Sequence, residues 1–392
     1  MTFEMTRKGF LKTVTGAAAG LAASAIVPTS LGAAAPGVSA GVAPAAKSKV
    51  KLGASVYSYN GDFLMGTMNL EDCIADIADM GSDGVEILGE AHVPNYPNPP
   101  DKWVEQWFGW MEKYHTKPTA YDLFLDARMY RGRVMTVQEA VDSLVRDFKL
   151  AHRLGFKVLR AQNSIALAFG AGTDAAALYG MAATAVPEGK QVVEKALPYA
   201  EQYDVKMAFE LHSPALLRGG WVDPMLEFVN RTKTKYVGFC PDMSIFTMRP
   251  PESTVKGLIQ QGARENIVNH IITAWQNDLG PDKTIAEVKK MGGNEVELRY
   301  ASVAGIYHSS HNDPKDIVKL IPYMYHIHAK VHEMTEDLRE PGINYQDVVP
   351  ILARGGYDNY WSTEWEGNRD IFEASIGIRR QHLMIRKLWE AA

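Results

Sequence analysis

From Lys51 onward, short β-branched or apolar runs alternate with amphipathic helical stretches, and the number of runs limits what the chain can fold into. Strands are predicted over Leu52–Tyr57, Gly84–Leu88, Lys117–Tyr121, Lys157–Gln162, Lys206–His212, Tyr236–Pro241, Tyr325–Lys330 and Tyr360–Glu366. Helices are predicted over Leu70–Met80, Lys102–His115, Val137–Leu154, Gly189–Tyr203, Pro224–Asn230, Pro314–Tyr323, Tyr345–Ala353 and Ile371–Trp389. Eight strands, each followed by a helix, specify an α/β fold, the (β/α)8 TIM barrel. Right-handed crossovers bring every C-terminal strand end to one rim. The rhythm breaks once, where residues 244–313 put a long helical insertion between strands 6 and 7, with patterns at Thr254–Gln261, Glu265–Gln276 and Ile285–Met291. An insertion on that rim shapes a pocket or a partner surface, or adds only a packing layer. His308 and His311 near its end read as surface-loop histidines.

With 392 residues, 46% hydrophobic and 22% charged, the chain can bury the core of one large domain. A net charge of -5, with no run of Lys and Arg, provides no basic face for nucleic acid or an anionic membrane. A small neutral or polar substrate suits it better. Cys73 and Cys240 are too few for a disulfide framework or a thiolate metal cluster and read as buried free thiols. Residues 1–47 stand apart from the barrel at 48–392. There, Thr6-Arg7-Lys8-Gly9-Phe10-Leu11-Lys12 precedes an apolar stretch from Val14 to Val27 and an Ala/Gly/Pro-rich linker. This resembles a twin-arginine export signal, with Lys8 in place of the second arginine. The apolar stretch is too short and too rich in Ala and Gly for a stable membrane anchor. The expected location is therefore periplasmic, the alternative being a cytoplasmic protein with a disordered leader.

Four predicted strands end in a hard metal ligand: Glu210, Asp242, His328 and Glu364. Alternation along a strand turns Glu210 and His212 one way, gives His326, His328 and Lys330 a common direction, and does the same for Glu364 and Glu366. Ionisable side chains pointing into a barrel are costly unless they are paired or metal-bound. Three carboxylates and one imidazole favour a divalent ion with open positions, Mn2+ first, with Mg2+, Co2+ or Zn2+ as alternatives.

Glu210-Leu-His212, Pro241-Asp242, His326-Ile-His328-Ala-Lys330 and Glu364-Trp-Glu366-Gly367 together resemble the xylose-isomerase-like TIM barrels, the superfamily of sugar phosphate isomerases/epimerases and ketose 3-epimerases. Gly84-Val-Glu86-Ile is similar to that family's second strand, and the resemblance runs from about Lys51 to Trp389. It implies that Glu210, Asp242, His328 and Glu364 hold the metal and that Glu210 and Glu364 also serve as the acid/base pair. Two departures limit it: the chain is longer than the simple epimerases, and no histidine follows Asp242. The long insertion and the ending of strand 8 also resemble the large subunit of C-glycoside deglycosidases.

A divalent ion chelated by a carbonyl and its neighbouring hydroxyl stabilises the enediolate left when the carbon between them loses a proton. Reprotonation gives an epimer or isomer, whereas loss of a β-substituent gives cleavage. Three functions follow: a metal-dependent sugar isomerase/epimerase, a keto-glycoside lyase or C-glycoside deglycosidase-like enzyme, and a non-catalytic sugar-binding barrel. His212 is a candidate second base, imidazole being the side chain that exchanges a proton near neutrality. Lys330 is either an oxyanion partner or the ion-pair partner of Glu364 or Glu366. Glu86, Arg160, Tyr121, Trp365 and Glu366 are candidate substrate contacts, with Tyr57 and Trp221 as further rim aromatics. The expected partners are a sugar or glycoside and either further copies of the chain or a small partner subunit.

Overall fold

The computed structural model describes residues 49–392 apart from 126–129, 131, 163–187, 214, 278, 309–311 and 368–372, and leaves out the side chains of 303–308. The export segment and His311 lie outside the described residues.

Eight strands form one sheet: β1 (Lys51–Ser55), β2 (Gly84–Leu88), β3 (Lys117–Leu123), β4 (Val158–Ala161), β5 (Lys206–Leu211), β6 (Val237–Pro241), β7 (Ile327–Val331) and β8 (Tyr360–Trp365). Their order is β6-β5-β4-β3-β2-β1-β8-β7, every neighbouring pair being parallel. β6 and β7 meet through single parallel bridges, Phe239 to Met324 and Asp242 to His328, so the sheet closes almost fully into the predicted barrel. The outer layer holds α1 (Leu70–Asp79), α2 (Asp101–Lys113), α3 (Val137–Arg153), α4 (Gly189–Tyr203) and α5 (Val222–Thr232). The insertion contributes α6 (Glu252–Gln260), α7 (Glu265–Gln276), α8 (Pro281–Lys290) and α9 (Glu295–His308), and the layer closes with α10 (Tyr345–Arg354) and α11 (Ala374–Ala391).

Strand alternation sorts the side chains. Ile87, Phe209, Phe239, Ile327 and Trp361 belong to the apolar cluster that the helices cover. Their neighbours in sequence, among them Glu86, Glu210 and His328, meet one another inside the barrel. Helix starts are set locally: Asn69 with Asp72 and Thr136 with Glu139 form capping boxes that satisfy the first free amides of α1 and α3. α11 joins the first strand to the last. Its fully buried His382 places Nε2 3.0 Å from Thr363 Oγ1 and 3.1 Å from Gly53 O, and burial pushes the ring down to about 3, so it stays neutral.

Two helical expectations are corrected. Pro314–Tyr323 is a 3-10 helix with Pro322 inside it, where an α-helix would lose a backbone hydrogen bond. α9 has no counterpart in the predicted helices, because the apolar residues of its sequence, EVELRYASVAGIYH, do not repeat at helical spacing and leave no one-sided stripe. The insertion has its own apolar cluster, built on Ile267, Val268, Ile271, Trp275 and Val288. Arg264 clamps it through bonds to the buried Glu297 carboxylate at 3.0 and 2.8 Å. Among the described residues, no helix is long and apolar enough to cross a membrane.

The seam between β6 and β7 tolerates no added atom at Gly238, where a Cβ would lie 2.3 Å from the Tyr323 carbonyl oxygen. Gly238→Ala is therefore expected to cost about 1–3 kcal/mol, because a backbone atom cannot rotate aside. An unchanged melting temperature would show that the seam yields.

Candidate metal centre

β5, β7 and β8, with Asp242 just past β6, bring the four expected ligands together. Ligand atoms of Glu210, Asp242, His328 and Glu364 all lie within 4.8 Å of one another, and all four residues are buried. Bonds of about 2.0–2.3 Å to a common ion place ligands on opposite sides about 4–4.6 Å apart, so the spread suits one cation. His328 is the pivot. Its Nδ1 lies 2.9 Å from Glu210 Oε1 and 3.3 Å from Glu364 Oε1, while its Nε2 lies 3.4 Å from Glu86 Oε1 and 3.8 Å from Asp122 Oδ1. The ring thus spans two layers of carboxylate, the Nδ1 side facing the rim and the Nε2 side facing a carboxylate that can orient it.

Unsatisfied atoms point the same way. Asp242 Oδ2, Glu86 Oε1, Asp122 Oδ1 and His328 Nε2 are buried and make no hydrogen bond among the described residues. Each faces a charged neighbour at 3.2–3.4 Å without a hydrogen bond, so ligation at Asp242, and a bridging water in the lower layer of Glu86, Asp122 and His328 Nε2, would complete what the ion pairs leave unmade. The other Asp242 oxygen, Oδ1, accepts from Ser244 N at 2.7 Å, which fixes the carboxylate at the start of the turn after β6. Three carboxylates and an imidazole are a donor set for Mn2+, Mg2+, Co2+ or Zn2+. The residues fit the metal.

Lys330 and Arg160 balance the negative charge. Lys330 Nζ lies 2.8 Å from Glu364 Oε2, 2.7 Å from Glu366 Oε1 and 3.3 Å from Asp242 Oδ2, so the ion-pair reading of this lysine is present with both glutamates. Arg160 Nε lies 3.2 Å from Asp122 Oδ1, and its terminal nitrogens are 3.9 Å from Glu210 and Glu364. Burial raises the Glu364 carboxyl, but His328, Lys330 and Arg160 outweigh it and hold the group well below the usual range. Glu210 follows the same logic, burial being outweighed by Arg160 and His328, and falls to about 2. Asp122 goes the other way, because burial and the Glu86 and Glu364 charges exceed the help from Arg160 and His328.

The other candidate residues separate by parity. Glu366 reaches Lys330 at the mouth, and Tyr57 lies close enough for burial and the Glu366 carboxylate to raise its phenol well above the ordinary value. His212 follows β5 at the rim, its Nδ1 2.8 Å from Ser213 O. A carbonyl only accepts, so that contact puts the proton on Nδ1 and leaves Nε2 as a base. Glu86, expected as a substrate contact, is fully buried, accepts from His326 Nε2 at 2.5 Å and lies on the Nε2 side of His328. Tyr121 carries the same expectation. Its hydroxyl donates to Asp147 on α3 at 2.7 Å, outside the barrel. Trp365 and Trp221 are likewise turned outward, Trp365 against Gly377 of α11 and Trp221 stacked on Phe239 at 5.9 Å.

Asp122 is the site residue that the sequence patterns missed. β2 pairs Val85 with Pro118 but Ile87 with Tyr121, so one extra residue on β3 shifts its alternation and sends Asp122, not Tyr121, inward. Cys240 also faces the site, near enough to His328 to feel its charge, and burial pushes its thiol up to about 12. Both cysteines are free and buried, as expected.

With fold and site in view, the chain belongs to the xylose isomerase-like TIM barrel family, whose sequence pattern matches residues 74–386. Among curated relatives, the C-glycoside deglycosidase alpha subunit of Arthrobacter globiformis is 25% identical, the match covering 88% of this chain and 94% of that one. The 3'-dehydrocarminate deglycosidase alpha subunit of a Microbacterium species is 24% identical over 86% of this chain and 95% of its own. Among solved structures, a D-allulose 3-epimerase from a Methylomonas species superposes with a TM-score of 0.51 at 12% identity, covering 88% of this chain and 99% of that one, which shows a shared fold.

Lys330 holds together carboxylates that otherwise repel. Lys330→Met is expected to lower stability in metal-free buffer by about 3–5 kcal/mol, the cost of uncompensated buried charge. Added Mn2+ is expected to recover more melting temperature in the variant than in the wild type. Equal melting curves with and without Mn2+ would show that the carboxylates need no cation.

Proposed function

We propose that this chain is a divalent-metal-dependent enzyme that removes a proton next to the ketone of a 3-keto-glycoside and then expels the aglycone by β-elimination. The observation that carries the reading is the full-length likeness to deglycosidase alpha subunits, joined to a barrel mouth with four metal-type donors within 4.8 Å. The residues to hold the metal are Glu210, Asp242, His328 and Glu364, with Mn2+ first among the candidates. When bound, the ion supplies a Lewis acid that makes the carbon between carbonyl and hydroxyl acidic. The protein's own groups do the rest. His212 Nε2 is the proton acceptor, Lys330 holds Glu364 and Glu366 in place, and Glu366 with Tyr57 meets sugar hydroxyls at the mouth. Arg160 keeps Glu210 and Glu364 ionised as ligands.

Epimerisation or isomerisation uses the same first step and is the second reading, favoured by the epimerase fold. The two part after deprotonation: an epimer needs a proton returned from the opposite face, an elimination needs a leaving group. Since the relatives matched are alpha subunits, a partner subunit forms part of the proposal, as does export through the segment ahead of Lys51.

Deuterium exchange from solvent into a 3-keto-glucoside, followed by NMR with and without EDTA, tests the metal. Exchange with aglycone release is expected from the metal-loaded protein, and exchange that persists in EDTA would remove the metal from the chemistry. Glu364→Gln is expected to abolish exchange and to weaken Mn2+ binding by about 10–100-fold or more, since it removes a charged ligand. His212→Asn is expected to lower kcat by about 100-fold or more while Mn2+ affinity stays near wild type. Wild-type kcat in the second variant would take His212 out of the base role.

A further inference from the structure

Beside the barrel mouth, the connections after β1 and β2 line with α2 an open cavity of about 520 Å3, within the range of about 300–1,000 Å3 common for small-molecule sites. Its walls include Phe63, His92, Val93, Pro94, Trp103 and Trp110. Trp103 lies along the fully buried Trp107 at 6.2 Å and meets Trp110 edge-on at 6.5 Å, so these indoles are held by the fold. Phe63 meets the His92 ring at right angles, 5.2 Å away.

One polar atom in this apolar wall has a defined sense. Leu88 N–H donates to His92 Nδ1 at 2.9 Å, so Nδ1 carries the lone pair. Burial pushes the imidazole down to about 4, so at neutral pH it is uncharged with its single proton on Nε2. His92 is 4% exposed, and among the described residues its Nε2 has no hydrogen-bond partner. A buried donor without an acceptor costs about 1–3 kcal/mol, which a ligand oxygen placed there would recover. None of the residues that balance the metal centre is used here. His92 follows β2 on the rim where the barrel opens.

We propose that this cavity is a subsite for a planar aromatic group, seated among Trp103, Trp110 and Phe63, with an acceptor oxygen on His92 Nε2–H. Naming that group the aglycone half of a glycoside rests on the function proposed above, but the affinity for an aromatic ketone does not. The site selects flat rings that carry an oxygen over flat rings that lack one. Aromatic walls and the directed His92 donor provide that preference.

The test uses the full-length protein stripped of metal with EDTA, so failure of the metal chemistry leaves it intact. Ligand-observed NMR titrations compare chromone, a bicyclic ketone, with naphthalene, its oxygen-free counterpart. Saturable binding is expected for both, chromone being the tighter by about tenfold. His92→Phe keeps the ring and removes the donor, so the chromone preference should disappear while naphthalene binding stays near wild type. Trp110→Ala should weaken both ligands by about fivefold or more, through loss of ring contact at a position that carries no backbone bond to Leu88. Absence of saturable chromone binding to the wild type, or equal affinities in wild type and both variants, would overturn the inference. If exchange into a 3-keto-glucoside is observed alongside such a result, the proposed chemistry stands and only the subsite falls.

Discussion

Charge compensation around His328 underlies the whole barrel mouth. Six carboxylates, from Glu86, Asp122, Glu210, Asp242, Glu364 and Glu366, crowd the interior within reach of this ring or of Lys330. Lys330 and Arg160 supply two permanent positive charges against them. The deficit has to be met by protonation or by cation binding, because each isolated buried carboxylate is too costly to keep. The raised Asp122 carboxyl beside the lowered Glu210 and Glu364 shows how unevenly the protein meets it alone. A divalent ion at the upper layer would satisfy the rim carboxylates and leave Glu86 and Asp122 to orient His328 from below.

The strand pairing of the barrel is thinnest where this charge is concentrated. β6 and β7 touch through single bridges only, and one of those bridges pairs Asp242 with His328. The insertion begins immediately beyond that point and carries an apolar cluster of its own. Contacts return from the other side: Met248 N–H donates to Gly342 O at 2.7 Å, and Thr247 bridges Ile343. Ser253 N–H reaches Glu333 Oε2 at 3.3 Å. The start of the insertion and the connection after β7 are therefore one layer over the seam, and a substrate entering there would meet both.

The strands are legible from the sequence because their alternating or apolar runs are bounded by turns, and the convergence of Glu210, Asp242, His328 and Glu364 because they occupy consecutive strand ends. What escaped was parity. The extra residue on β3 is set by its pairing with β2, a contact between chain segments that no local pattern records, so nothing in the sequence marks Asp122 as inward or Tyr121 as outward. Trp365 could have been excluded by alternation alone, since it adjoins the inward Glu364 on β8. The helix at Glu295–His308 was hidden for the opposite reason, its apolar residues not repeating at helical spacing.

The distribution of proton acceptors bears on which reaction follows deprotonation. An epimerase needs a competent base on each face of the carbon, whereas elimination needs one base and a departing group. On the β8 side, Glu364 is clamped by Lys330 at 2.8 Å and its basicity is reduced by His328, Lys330 and Arg160 despite burial. A carboxylate held that far below its usual range is a poor proton acceptor, although it remains a good metal ligand. On the β5 side, His212 donates from Nδ1 to the Ser213 carbonyl, which leaves Nε2 as the accepting nitrogen. The mouth therefore has an imidazole on the β5 side and, on the β8 side, carboxylates tied to an ammonium. Within the proposed chemistry, that asymmetry suits removal of a proton followed by expulsion of a neighbouring group better than its return from the other face.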